Sequence, residues 1–278
     1  MVFEHDVRLS DGRTVRVYDT GAAESDALTV VWFHGSPQTG ALLDPLLEAA
    51  SARRIRLLSY ARPGYRGSTR VPGRDVASAA IDVEGFADAL GLGGFAVMGA
   101  SGGGPHALAC AALLPGRVPA AATFATLAPF DAGIDWFGGM ASDGAALRAA
   151  VEGPDARTAF EETAEFDPLS FNDRDYATLA GSWTSLGADV GIASGDGPEG
   201  LITDDLAFVQ PWGFEIADIA APVLLAQGGD DRVVPATHAE WLVGTMADAE
   251  LWLRPRDGHI SILEAAPVAF DWLLAHAR

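Results

Sequence analysis

The sequence predicts an α/β fold: a mostly parallel central sheet flanked by helices, with a helical segment inserted into it. Three observations lead there. Short apolar runs at 28–33, 55–60, 95–100, 120–127, 222–226 and 250–253 lack the alternation of a strand with one wet face, so they read as strands buried on both sides. Stretches of helical periodicity separate them, as crossovers between parallel neighbours require. From about 131 to 212 this alternation stops, and the chain becomes rich in Gly, Asp and Glu with scattered large aromatics. The expected organisation is a core of residues 1–130 and 213–278 with a helical cap at 131–212.

Residues 2–9 and 13–19 alternate apolar and polar around Ser10-Asp11-Gly12, which predicts an antiparallel hairpin. The strand at 28–33 ends at His34-Gly35-Ser36-Pro37, and helical pattern covers about 40–52. The strand at 55–60 runs into Arg62-Pro63-Gly64-Tyr65-Arg66-Gly67-Ser68, and a helix over 75–90 has Asp75 as its expected N-cap. After the strand at 95–100 comes a helix, then the strand near 120–127. Within 131–212, helices are expected near 142–151, 155–165 and 173–187, and a loop at 191–200. A strand at 222–226, a helix near 236–246, a strand at 250–253 and a helix over 261–277 complete the chain.

A chain of 278 residues buries roughly three quarters of its unfolded surface in one large core. The net charge of −20 excludes the basic stripe that nucleic acid needs, and it disfavours anionic membranes and polyanionic substrates. All eighteen basic residues are arginine, a coding-composition bias rather than a binding feature. The single cysteine, Cys110, allows no internal disulfide and no cysteine-based zinc site, and its helical position suits a small buried filler. No apolar run reaches the ~18–20 residues of a membrane span. Met1-Val2-Phe3-Glu4-His5-Asp6 carries acids where a secretory signal carries bases, so the expected location is the cytoplasm.

Gly99-Ala100-Ser101-Gly102-Gly103 stands between a strand and a helix. A serine at the apex of a strand–turn–helix is a nucleophile elbow, whose glycines make room where strand and helix pass close together. Ser101 is then thrust into a cleft, with the Gly102 N–H directed at whatever it attacks. A hydroxyl needs a base, and the base needs an acid to orient it. Of the six histidines, His5 and His276 read as surface residues and His238 as a solvent-facing residue at a helix start. His106 lies on the helix behind Ser101, pointing away from the apex, as a surface or packing residue. His34 is near the site but sits in a backbone turn. His259 follows Gly258 in a loop after a strand, at the edge of the sheet where clefts form, and is the candidate base. The loop after 222–226 offers two candidate acids, Asp230 and Asp231.

The order serine, acid, histidine over nearly the whole chain resembles the α/β-hydrolase superfamily. The resemblance implies that the acid stands four residues before the proline in Asp231-Arg232-Val233-Val234-Pro235, which selects Asp231. His34-Gly35-Ser36-Pro37 is similar to the family's H-G-x-P stretch, implying an oxyanion hole from the N–H groups of Ser36 and Gly102. Residues 62–68 resemble a structural R-P-G-x-G-x-S loop, with one extra residue between the glycines. The resemblance implies a serine hydrolase acting on a carboxylic ester or related acyl bond of a small neutral or apolar substrate, with no metal or organic cofactor. Trp136 and Phe137, nearest the end of a core strand, are the candidate substrate contacts. Glu161, Glu162 and Glu165 raise an alternative, since members similar to proline iminopeptidases hold a free amino terminus with cap carboxylates. A carbon–carbon bond hydrolase, or a small-molecule receptor with little turnover, fits the same residues.

Overall fold

Along each core strand, successive side chains enter different hydrophobic clusters, the period-two signature of a sheet covered on both faces. In the computed structural model, which describes residues 1–21 and 27–277, Val30 and Trp32 face one cluster and Val31 and Phe33 the other. The strands are β1 (Phe3–Arg8), β2 (Thr14–Asp19), β3 (Thr29–Phe33), β4 (Arg56–Tyr60), β5 (Ala96–Ala100), β6 (Ala121–Phe124), β7 (Val223–Gly228) and β8 (Ala249–Arg254). They form one sheet in the order β1-β2-β4-β3-β5-β6-β7-β8. The β1–β2 and β2–β4 pairs are antiparallel, and every pair from β4 to β8 is parallel.

Helices α1 (Asp44–Ser51) and α10 (Ala266–His276) cover one face through Leu46, Phe270 and Leu273. The other face packs α2 (Ser78–Ala89), α3 (Gly103–Leu113) and α9 (Ala236–Thr245) through Phe86, Leu108 and Leu242. Asp75 accepts the Ser78 N–H at 2.8 Å and so holds the turn that leads into α2. Cys110 is buried, and burial pushes its thiol well above its usual range, the state of a packing residue.

Strand order matters for the site. From β3 the chain goes to β4 on one side, then crosses to β5 on the other, so the crevice at their carboxyl ends is a topological switch point. The loops after β3, β5, β7 and β8 open along that same rim.

Between β6 and β7 lie α4 (Ala145–Val151), α5 (Pro154–Glu161), α6 (Asp173–Ala180), α7 (Thr184–Gly195) and α8 (Glu199–Phe208), with no strand among the described residues. Three expectations need correction here. The helix expected over 173–187 is two helices, because the chain leaves helical geometry at Gly181 and turns so that Trp183 can bury itself. The expected loop at 191–200 is helical to Gly195, and only 196–198 separate α7 from α8. Gly191 and Gly195 cost about 1 kcal/mol each in a helix. Burial of Leu186 and Ala193, and the Asp189 carboxylate accepting the Thr39 N–H at 2.9 Å, hold the helix nonetheless. The helix expected at 155–165 stops at Glu161.

Candidate active site

Ser101 sits at the apex between β5 and α3 with φ of 51°, a left-handed conformation that a residue with a side chain adopts at a cost of about 1–3 kcal/mol. The flanking glycines show why the turn holds. A Cβ on Gly99 would lie 2.5 Å from the Gly103 carbonyl oxygen, and one on Gly103 would strike the carbonyls of Phe33 and His34 at the end of β3. The Ser101 N–H donates to the Phe124 carbonyl at 2.8 Å, tying the apex to β6.

The Ser101 hydroxyl lies 2.9 Å from His259 Nε2, and the other ring nitrogen, Nδ1, is 2.9 Å from Asp231 Oδ2. That partnering defines the tautomer: Nδ1–H donates to the carboxylate, and Nε2 accepts from the hydroxyl. Asp231 is buried and held from three sides, its Oδ1 accepting the N–H groups of Val233 and Val234 at 2.8 Å each. Gln227 Nε2 donates to its Oδ2 at 3.3 Å. Asp230, the neighbouring candidate, points elsewhere, accepting from Asn172 at 3.0 Å and pairing with Arg232 at 3.2 Å. Burial pushes the His259 imidazole down, but the charge and hydrogen bond of Asp231, with the charge of Asp175, outweigh it and leave the pKa above 6.5.

Across the serine, Ser36 and Gly102 are close neighbours, for a Cβ on Gly102 would lie 2.5 Å from Ser36 Oγ. The Ser36 side chain is gripped by a fully buried ionic cluster. Its hydroxyl donates to Asp204 Oδ2 at 2.5 Å and accepts from Arg62 Nη2 at 2.8 Å. Asp204, on α8, also pairs with Arg62 at 2.6 Å, with Arg74, and with the Tyr65 hydroxyl at 2.8 Å. Burial raises its carboxyl, but the two guanidinium groups hold it well below the ordinary carboxylate range. Arg62 further donates to the carbonyls of His34 and Gly35, and the Arg62 N–H donates to His34 Nε2 at 3.2 Å. Burial and the Arg62 charge push His34 well below its usual pKa, so it is a neutral strut for the loop. The loop at 62–68 thus supports the strip that carries Ser36.

A cavity of about 380 Å³ opens on Ser101 and His259. Its walls are apolar and come largely from the β6–β7 segment: Phe166, Phe171, Leu179, Leu186 and Val190, with Leu263 from the core. Ser36, Gln38 and Ser170 are its other polar contributors, and none of its described lining residues is a carboxylate. Trp136 and Phe137 do not line it, which corrects the expected substrate contacts. The Trp136 indole N–H donates to the Ala128 carbonyl at 2.8 Å, turning the ring back onto the core. Phe137 packs edge-on to that ring and under Arg148.

His238 is likewise buried rather than solvent-facing. The Ala128 N–H donates to its Nδ1 at 3.1 Å, and its Nε2–H donates to the Trp136 carbonyl at 2.9 Å. His106 is a buried packing residue beside Asp204, at 3.6 Å. Glu161 pairs with Arg157 at 2.8 Å, and Glu162 and Glu165 are exposed, so none of the three carboxylates faces the cavity. Among the described residues no group of three or more His, Cys, Asp or Glu side chains is placed to hold a metal ion, and no helix is long and apolar enough to cross a membrane.

Residues 30–271 match the sequence model of the alpha/beta hydrolase family. No curated protein matches the chain in sequence. Solved structures resemble it along nearly its whole length. A hydrolase from Pseudomonas aeruginosa PA01 has a TM-score of 0.73 at 23% identity, covering 99% of this chain and 97% of its own. An enol-lactonase from Burkholderia xenovorans LB400 has a TM-score of 0.72 at 19% identity, covering 98% and 99%. A thermophilic esterase from Thermogutta terrifontis has 0.71 at 18%, covering 99% and 100%. At these identities the likeness is one of fold.

Proposed function

We propose that this chain, which belongs to the alpha/beta hydrolase family, is a serine hydrolase that cleaves a carboxylic ester of a small neutral or apolar substrate. The observation that carries the reading is the line of hydrogen bonds from Asp231 through His259 to Ser101, ending at the mouth of an apolar cavity. As the Ser101 oxygen attacks the carbonyl carbon, its proton passes to His259 Nε2, and Asp231 stabilises the resulting imidazolium. The carbonyl oxygen becomes an oxyanion facing the N–H groups of Ser36 and Gly102, where loss of one donor costs about 3–4 kcal/mol. Collapse expels the alcohol, which takes its proton from His259. Water then attacks the acyl-enzyme by the same sequence, releasing the acid and restoring Ser101.

In this reading residues 131–212 act as a cap whose apolar side chains receive the acyl or alcohol group, and about 380 Å³ suits a small molecule. The net charge of −20 favours neutral over anionic substrates. The carboxylates that suggested an aminopeptidase lie outside the cavity, so the ester reading is preferred.

The test is hydrolysis of p-nitrophenyl acetate by the wild-type protein and by Ser101→Ala. Loss of about four orders of magnitude in kcat is expected. A fluorophosphonate should label Ser101 in the wild type, and turnover unchanged by the substitution would overturn the assignment.

A further inference from the structure

Helix α6 meets both loops of the site through its first turn. Asn172 Nδ2 donates to Asp230 on the acid loop, and Arg174 Nε donates to Asp257 Oδ1 on the histidine loop at 2.8 Å. Asp175, fully buried, reaches further. Its Oδ1 accepts the N–H groups of Ile260 at 3.0 Å and Ser261 at 2.7 Å and the Ser261 hydroxyl at 2.8 Å. Its Oδ2 accepts the His259 N–H at 3.2 Å and the Asn172 N–H of its own capping box at 3.2 Å. Gly258 is a glycine for the same reason: a Cβ there would overlap the Asp175 carboxylate. Capping α6 occupies only one contact of Oδ2. Every other contact of this carboxylate goes to residues 259–261.

We propose that Asp175 is a positioning residue for the reaction, pinning the 258–261 backbone so that the His259 ring stays between Asp231 and Ser101, and setting its negative charge beside the imidazolium formed during attack. The inference rests on the serine-hydrolase reading. Among the described residues, Asp175's hydrogen-bond donors are neutral and no cation is paired with it. The groups facing His259 are Asp231 and Ser101 at its ring nitrogens and Asp175 at its backbone. Asp257, on the same loop, is paired with Arg174 and Arg254 at 2.8 and 2.5 Å, and Asp230 with Arg232. The charge of Asp175 contributes to holding His259 above 6.5.

The experiment compares the pH profiles of kcat and of fluorophosphonate labelling for wild type, Asp175→Asn and Ser101→Ala, with KM measured throughout. Asp175→Asn is expected to lower the high-pH plateau of kcat about tenfold, to leave KM near its wild-type value, and to move the acidic limb to lower pH. A helix cap alone would lower the melting temperature without moving that limb. An unmoved limb at wild-type kcat would overturn the inference while the hydrolase reading stood, and activity retained in Ser101→Ala would remove both. Should Asp175→Asn fail to fold, Asp175→Glu decides by the same readouts. It keeps the charge but displaces the carboxylate, so a lowered plateau with an unmoved limb supports the role, and a wild-type plateau overturns it.

Discussion

Two buried carboxylates reach the site from the β6–β7 segment, and they are satisfied in opposite ways. Asp204 carries the charges of Arg62 and Arg74, whereas Asp175 is held by amide and hydroxyl donors. The first is an ion pair, whose removal on one side strands the other charge in the interior. The second keeps its field, available to the histidine beside it. The same segment therefore anchors one half of the site by charge pairing and orients the other half by hydrogen bonds.

The largest expected effect sharpens that contrast. Asp204→Asn leaves two guanidinium groups buried without a counter-charge, which costs about 3–5 kcal/mol and lowers Tm by roughly 10 °C. Activity should fall with it, since the ionic cluster that grips Ser36 loses its negative charge. Equal losses of stability from Asp204→Asn and Asp175→Asn in thermal denaturation would break the comparison. The pH dependence comes from the same pairing. Because the folded pKa of Asp204 lies well below 3.8, its contribution is complete above that value and is lost only as pH falls through the depressed folded value.

The histidines divide similarly. Burial depresses His106 and His238 to about 4, so the stability they lend is present above 6.5 and lost as pH falls toward 4, about 3 kcal/mol for each. His259 has the opposite sign. Its raised pKa adds stability that is complete below 6.5 and disappears as pH rises through the folded value. His238→Gln should therefore flatten the loss of stability between pH 6.5 and 4 in urea titrations, and His259→Gln should not. Activity needs a neutral His259, so its acidic limb is expected above 6.5.

Gly258→Ala is a smaller perturbation. The methyl displaces the Asp175 carboxylate, and kcat is expected to fall with a stability loss of about 1–3 kcal/mol, measured together. Smallest is Phe166→Ala. The ring is 63% exposed yet lines the cavity, so stability should stay within about 0.5 kcal/mol while KM for apolar esters rises several-fold. A large drop in Tm would show that Phe166 packs the segment rather than meets the substrate.

Much of the molecule is legible from local pattern. Buried parallel strands announce themselves as short apolar runs, and the elbow by glycines whose missing Cβ atoms let β3, β5 and α3 meet. The β6–β7 segment reads worse. Glycine content suggested a loop at 191–200, but propensity there is outweighed by packing of Leu186 and Ala193. Closeness in sequence to β6 suggested Trp136 as a substrate contact, but its indole N–H found the Ala128 carbonyl, and the ring lies against His238 instead. Asp204 had no local signal, since its partners are distant in the chain, and Asp175 carried only that of a helix cap with Asn172, its contacts to residues 259–261 lying more than eighty residues away.

By itself, then, the order of residues determined the sheet, its helical layers and the sharp turn at Ser101, because each depends on side chains within a few positions of one another. The residue types left Asp230 and Asp231 open and the family resemblance selected Asp231, whereas only the folded chain decided which walls enclose the cavity and which distant acids brace the loops. Those outcomes depend on directions of side chains brought together across the sheet's rim, and direction in space is not a local property of the chain.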